Sequence, residues 1–393
     1  MSQARNRIVN AGRRFGKTFL AKTELETQAV NVPDSVSWYV APTYRQAETI
    51  LWQALKASIP RGYIKDKDET DLTIILKNRA LIALRGADNP DSLRGPGLDF
   101  LVRDEAAFQK PNVWGILRPM LSDTGGRSLT ISTPAGFNHF YDQYAAAKSK
   151  PNWEAFQFTT LDGGNVSAEE IEEARGELDE RTFRQEYLAS FEALTGRVYY
   201  AYDRDKNAKA LEDIPGAPLL VGMDFNVDPM TAAIAVRAAD QIHFIGEVVI
   251  RDGNTDLMAK TLQAKYPGRR ICVYPDPTGN ARKTSAPVGQ TDFVILRAHG
   301  FQVLAPSSPY PVADKINTAN AAFCNAKGDR RAFVDSARCP QLAKALDGLT
   351  YREGTSEPDK SLGLDHISDA AAYLLLWELP IRAAVRRVEV VMA

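Results

Sequence analysis

Apolar residues in the first half of the chain fall into short strand-like runs: Ile8 to Asn10, Ser37 to Ala41, Leu72 to Leu76, Leu81 to Leu84, Phe100 to Val102 and Leu129 to Ser132. Between them the spacing turns helical, as in FLAKTELETQAV from Phe19 and in Tyr44 to Ile59. Further helices are expected over Ala168 to Leu178, where Ser167 stands as N-cap with Glu170 three residues on, and over Glu180 to Phe191. This alternation predicts an α/β sheet with helices on its faces.

The stretch ALTGRVYYAYDRDKNAKALEDIPGAP is rich in Gly, Pro and charge and lacks periodicity, so it reads as a connector. Strand patterns then restart at Leu219 to Asp224, Thr231 to Val236, Ile242 to Ile250 and Ile271 to Tyr274, and a helix is expected over Ile367 to Leu379. Antiparallel pairs followed by αβ units fit a mixed sheet. A length of 393 residues exceeds what one core usually serves. The expected division is therefore 1–195, a linker at 196–216, and 217–393.

With 44% hydrophobic and 25% charged residues the composition is that of a globular protein, and no apolar run approaches the roughly 18 to 20 residues of a membrane span. The start, MSQARNRIVNAG, lacks the apolar core of a secretory signal, so a cytoplasmic location is expected. Cys272, Cys324 and Cys339 have no CxxC spacing and read as core or incidental thiols. A net charge of −1 gives no global basic field. Any nucleic-acid contact falls to local clusters: Arg269 with Arg270, Arg282 with Lys283, Arg330 with Arg331, and Arg382, Arg386 and Arg387, each of which also reads as a solvated face.

Chemistry enters at AGRRFGKT, Ala11 to Thr18, directly after the first strand. It ends as a P-loop ends, with Ala11 in place of the first glycine. Such a loop wraps phosphates in backbone N–H groups, here over Gly12, Arg13, Arg14 and Gly16, while Lys17 reaches the terminal phosphates and the Thr18 hydroxyl binds magnesium. A bound nucleoside triphosphate, ATP with Mg2+, is expected. FLVRDEAA supplies Asp104 to hold the metal through its water shell and Glu105 to polarise the attacking water. Arg103 is out of character in that strand and is expected at the exposed edge of the sheet or paired with an acid. ISTPAG, Ile131 to Gly136, and the turn in WYVAPTYRQAE are expected at the same end of the sheet, the former as a γ-phosphate sensor.

In the second half, Asp224 ends one strand and Asp276 follows another in a similar arrangement. Asp365 and Asp369, four apart in LDHISDAAAYLLL, share a face if the helix reaches back that far. Clustered carboxylates raise one another's pKa unless divalent magnesium or manganese intervenes, and two ions roughly 3.5 to 4 Å apart would support phosphodiester hydrolysis. Asp365 or Asp369 would supply the third carboxylate. His366 is a possible helper, and Asp228 is a fourth candidate or the shaper of the turn before Pro229. Each of these aspartates taken alone also reads as a turn or cap residue.

Taken in order, AGRRFGKT, WYVAPTYRQAE, SLRGPGLDFLVRDEAAF and ISTPAGFNHFYDQY resemble the ATPase of the large terminase subunits of tailed bacteriophages, and the acidic half resembles that family's ribonuclease H-like nuclease. The pattern of His366 to Ala370 also looks like the last acidic motif of Holliday-junction resolvases, and this resemblance favours Asp369 as the third ligand with Asp365 as second choice. The resemblance implies a P-loop NTPase (RecA/ASCE-like) parallel-sheet domain followed by a ribonuclease H-like mixed-sheet domain. Arg13 resembles the family's cis arginine, and Arg94 resembles one proposed to act on a neighbouring subunit's nucleotide, with a loop salt bridge as its other reading. Also implied are double-stranded DNA as substrate, a portal protein and small terminase subunit as partners, a homo-oligomeric ring, usually of five, on the procapsid, and residence in the host cytoplasm outside the mature virion. The alternatives are a helicase-like or repair ATPase fused to a resolvase-type nuclease, and a DNA-binding scaffold with a degenerate nucleotide site.

Overall fold

A computed structural model describes residues 4–193, 195–226, 228–281, 290–306, 309–353 and 355–381. They form two compact units: Met1–Ile171 with Phe183–Ala193, and Glu172–Thr182 with Leu194–Ala393. The chain thus enters the second unit, returns to the first for one short segment, and leaves again.

The first unit is built on β1 (Asn6–Ala11), β2 (Val36–Ala41), β3 (Ile64–Asp68), β4 (Thr73–Leu76), β5 (Leu81–Gly86), β6 (Phe100–Arg103), β7 (Arg127–Ser132) and β8 (Trp153–Phe158). Their order across the sheet is β3-β4-β5-β2-β6-β7-β1-β8. From β5 to β8 every pairing is parallel, while β3 and β4 add an antiparallel edge. Parallel strands covered on both faces need continuous apolar runs, and Val40, Leu101, Val102, Leu129 and Ile131 are all buried. The carboxyl ends of β1, β6 and β7 lie side by side in register, so the loops that follow them share one edge. The expected helix over Tyr44 to Ile59 forms as one run in three pieces, Tyr44–Ala47, a π-turn Glu48–Trp52 and Gln53–Ser58. Ser167 Oγ accepts from Glu170 N at 3.2 Å, as the capping signature requires.

The second unit carries β9 (Leu219–Asp224), β10 (Met230–Ala238), β11 (Gln241–Ile250), β12 (Ile271–Pro275), β13 (Gln302–Val303) and β14 (Ala332–Val334), in the order β13-β12-β9-β10-β11-β14. The sheet is mixed: β9-β10 and β10-β11 are antiparallel, and β12-β9, β12-β13 and β11-β14 are parallel. The helix Asp365–Glu378 packs across β9, with Ala370, Ala371, Leu374 and Leu375 in the core. The stretch expected as a connector is not a bare tether, because Val198, Tyr199 and Tyr202 are buried in this same core.

Candidate functional sites

In the first unit, the loop after β1 is held by bonds from distant residues. Gly12 N donates to Phe158 O at 3.0 Å and Arg13 N to Glu186 O at 2.7 Å. Thr160 Oγ1 donates to Arg13 O at 2.8 Å, and Asn165 Nδ2 donates to Phe15 O at 3.0 Å. A Cβ on Gly12 would lie 2.5 Å from Thr160 Oγ1 and 2.7 Å from Tyr187 O, so only glycine fits this clamp. Ala11, off the usual glycine pattern, is the last residue of β1 and is absent from the left-handed residues, so its Cβ brings no strain. Left-handed geometry falls instead on Arg14 and Gly16.

Gly16 caps the helix Lys17–Asn31 without a side-chain bond, and no acid stands in its first turn. The first-turn N–H groups, including that of Thr18, lack intrahelical acceptors and suit an anion. Lys17 is buried, and its ammonium donates to Ala11 O at 2.9 Å, Gly12 O at 3.0 Å and Thr133 Oγ1 at 2.8 Å. Burial lowers its pKa, opposed in part by Glu105 and Asp104. These groups fit a triphosphate with its cation.

Asp104, 2% exposed, follows β6 and accepts a bond from Tyr39 Oη at 2.5 Å. Burial, then the neighbouring Glu105 charge, pushes its carboxyl up to about 6. Glu105 is held in the left-handed region at φ 47°, and its Oε2 accepts from Ser132 Oγ at 3.3 Å and from Thr133 N at 3.4 Å. The loops after β1, β6 and β7 therefore meet: Lys17, Glu105 and the ISTPAG turn are one bonded group.

The expectation for Arg103 needs correction, since among the described residues it neither sits at an exposed sheet edge nor pairs with an acid. It lies in β6, between β2 and β7, fully buried, with Gln109 and Gln143 as hydrogen-bond acceptors at 3.2 and 3.0 Å and Trp114 beneath its guanidinium. The other two singled-out arginines are both engaged at the surface. Arg13, 68% exposed, pairs with Glu186. Arg94, 69% exposed, pairs with Asp91 three residues back at 3.3 Å, as its salt-bridge reading anticipated.

In the second unit, Asp224 ends β9, and parallel pairing of β12 lets Asp276 N donate to Met223 O at 3.0 Å, so both aspartates leave the sheet at the same edge. A Cβ on Gly222 would lie 1.9 Å from Ala370 O. Backbone contact between β9 and the last helix thereby brings Asp369 beside Asp224. That helix starts at Asp365, far enough back to carry both of its acids.

Burial, then the adjacent Asp369 and Asp276 charges, lift the Asp224 carboxyl to about 6, while a bond from His366 opposes the rise. His366 Nδ1 is 3.0 Å from Asp224 Oδ2, and Asn226 Nδ2 approaches the same ring. Lys315 Nζ lies 2.7 Å from Asp369 Oδ1, and Lys360 Nζ lies 3.3 Å from Asp365 Oδ2. Asp228 stands 3.9 Å from Arg251. The donor set of carboxylate oxygens fits a hard divalent cation. Among the described residues, however, no three His, Cys, Asp or Glu side chains close into a ready-made cage. His366 and Lys315 each hold one of the carboxylates instead.

Of the basic clusters, Arg269 is tied to Asp213 and the Ala217 carbonyl, and Arg330 to the Ala201 and Phe323 carbonyls, so both are structural. Arg282, Lys283, Arg382, Arg386 and Arg387 lie outside the described residues. Cys272 and Cys339 are buried free thiols, and Cys324 is half-buried. No helix among the described residues is long and apolar enough to cross a membrane. Sequence reasoning missed Thr160, Glu186 and Lys315, which lie in no recognisable motif, and passed over Tyr39 and Tyr373, which lie within WYVAPTYRQAE and LDHISDAAAYLLL.

Fold and sites together define an α/β protein with a P-loop NTPase unit and a ribonuclease H-like mixed-sheet unit that gathers aspartates at one edge. Residues 8–204 match the family model described as terminase large subunit, T4likevirus-type, N-terminal. The chain belongs to the large terminase subunit family. It is 32% identical over 255 residues to the terminase large subunit of Escherichia phage T5, covering 60% of this chain and 57% of that protein. With the terminase large subunit of Thermus phage G20c it shares 29% identity over 283 residues, 61% of this chain and 58% of the other. The chain thus spans somewhat under two thirds of these relatives. The large terminase of a thermophilic bacteriophage, solved in complex with ATP-γ-S, superposes with a TM-score of 0.63 at 18% identity, covering 95% of this chain and 94% of that one.

Proposed function

We propose that this chain is a motor that hydrolyses ATP to move double-stranded DNA into a procapsid and carries a divalent-metal-dependent endonuclease that cuts concatemeric DNA. The observation that carries this reading is the bonded group of Lys17, Thr133 and Glu105, which ties the phosphate-binding loop to an acid and to the turn after β7. Such an arrangement registers whether the terminal phosphate is present and passes the difference onward. The complex of the thermophilic phage's large terminase with ATP-γ-S supports a nucleotide as the ligand.

In this reading Lys17, the Gly12–Gly16 backbone and the first-turn N–H groups bind and orient the phosphates, and Thr18 and Asp104 hold magnesium. Glu105 takes the proton of the attacking water. Arg13 leaves Glu186 to face the γ-phosphate, and Arg94 leaves its exposed pairing with Asp91 to reach a neighbouring subunit. In the second unit Asp224, Asp276 and Asp369, with Asp365 beside them, hold the divalent cation, magnesium or manganese. Bound there, the cation supplies Lewis acidity toward a phosphodiester and a more acidic water. DNA is gripped through its phosphates, as a motor indifferent to sequence requires. A ring on the portal, a small terminase subunit and the host cytoplasm complete the proposal.

The test is ATP turnover in the presence of DNA, with and without procapsids. Stimulation by procapsids, abolished by Lys17→Ala and by Glu105→Gln, is expected. Strand unwinding with no procapsid response would overturn the packaging reading, and no turnover under any DNA condition would point to a scaffold.

A further inference from the structure

Lys315 lies in the helix Val312–Phe323, and its side chain is 6% exposed. Its ammonium is 2.7 Å from Asp369 Oδ1 and 4.6 Å from the centroid of the Tyr373 ring. The Tyr373 hydroxyl in turn lies near Asp276. Lys315 is thus enclosed between the last helix and the acid cluster. On the opposite flank Asp365 is buried, and its Oδ1 has no hydrogen-bond partner.

We propose that Lys315 is a built-in cation of the acid cluster, filling one of the two positions the carboxylates would otherwise offer, so that the second unit takes up a single divalent ion. The inference rests on the metal-dependent reading above. Charge balance supports it. Asp224, Asp276, Asp365 and Asp369 together carry four negative charges, and Lys315 and Lys360 return two positive ones. One divalent ion neutralises the remainder. A second would leave a half-buried site with two positive charges in excess, with an ion set against the ammonium at Asp369, where low dielectric makes like charges costly. Asp369 already has a buried ammonium against it, whereas Asp365 meets only the exposed Lys360 at 3.3 Å and His366 at 3.9 Å, and its Oδ1 is left without a hydrogen bond.

The test counts Mn2+ bound per full-length chain by titration calorimetry and by the electron paramagnetic resonance of free Mn2+. Asp224→Asn serves as the blank for ions bound elsewhere. One Asp224-dependent ion is expected in the wild type and two in Lys315→Met, with Lys315→Gln as a second neutral variant should the first misfold. Lys360→Met, altered at an exposed lysine, is expected to keep one, because Lys315 still fills the place at Asp369. Two Asp224-dependent ions in the wild type, or a single one in both neutral Lys315 variants, would overturn the inference alone. No Asp224-dependent ion in any of these proteins would overturn the metal-site reading itself, and the inference with it.

Discussion

Lys17 Nζ lies 2.8 Å from Thr133 Oγ1, a bond between residues 116 positions apart that joins the loop after β1 to the turn after β7. Thr133→Val keeps the shape but removes one of three acceptors from a buried ammonium. Such a bond to a charged group contributes roughly 1.5 to 3 kcal/mol. Steady-state phosphate release should fall about ten- to hundredfold, while nucleotide binding persists. Unchanged turnover would show that the bond is packing alone.

Arg13 and Arg94 separate by mechanism. Surface ion pairs contribute about 1 kcal/mol or less, so Arg13→Ala and Arg94→Ala should both melt close to the wild type. If Arg13 meets the γ-phosphate, its loss should lower turnover by about 10³-fold or more. Arg94→Ala should matter only where subunits assemble, so its defect should appear at high protein concentration or on procapsids and vanish on dilution.

Gln109 holds three groups at once: its amide donates to Val40 O and Asp104 O, each at 3.0 Å, and its carbonyl accepts from Arg103 Nε. Gln109→Ala leaves buried carbonyls and a buried guanidinium short of partners, at about 1 to 3 kcal/mol for each unmet group. The melting temperature should drop further than for Gln143→Ala, which removes a single bond to the same guanidinium. Equal losses would assign the stability of Arg103 to Trp114 rather than to Gln109.

Gly222→Ala places a methyl where Ala370 O already stands. Overpacking of this kind typically costs about 1 to 3 kcal/mol. The helix must shift away from β9, carrying Asp369 with it. Metal-dependent plasmid cutting should be lost to nearly the extent seen with Asp224→Ala or Asp276→Ala, with ATP turnover intact. Normal cutting by Gly222→Ala would mean that the spacing of the aspartates is not set by this contact.

Both sites were legible in sequence to the degree that they are local. AGRRFGKT and the Asp104–Glu105 pair announce themselves because a phosphate loop and a strand-end acid are built from neighbouring residues. Asp224, Asp276 and Asp369 could be picked out as strand-end and helix acids, though not as companions of Lys315, whose helix carries no motif. Glu186 was equally invisible, since its bonds to Arg13 cross 173 positions. Arg103 misled because burial of an arginine depends on Gln109, Gln143 and Trp114 closing around it, and no pattern within FLVR records them. The strand Trp153–Phe158 went unseen for a related reason: its burial is partial, and its pairing with β1 is long-range.

The chain crosses between its two units three times, which has a practical consequence for dissecting them. A cut near residue 171 strips the phosphate loop of Glu186 and of the Tyr187 carbonyl, which engage Arg13 and Thr160. A cut near residue 195 strips the other piece of Asp179, whose carboxylate receives the Tyr200 hydroxyl, and of the Gly176 carbonyl that Asn325 bonds. Neither half can be excised whole by one cleavage, so proteolytic or recombinant halves should each be less stable than their share of the intact protein.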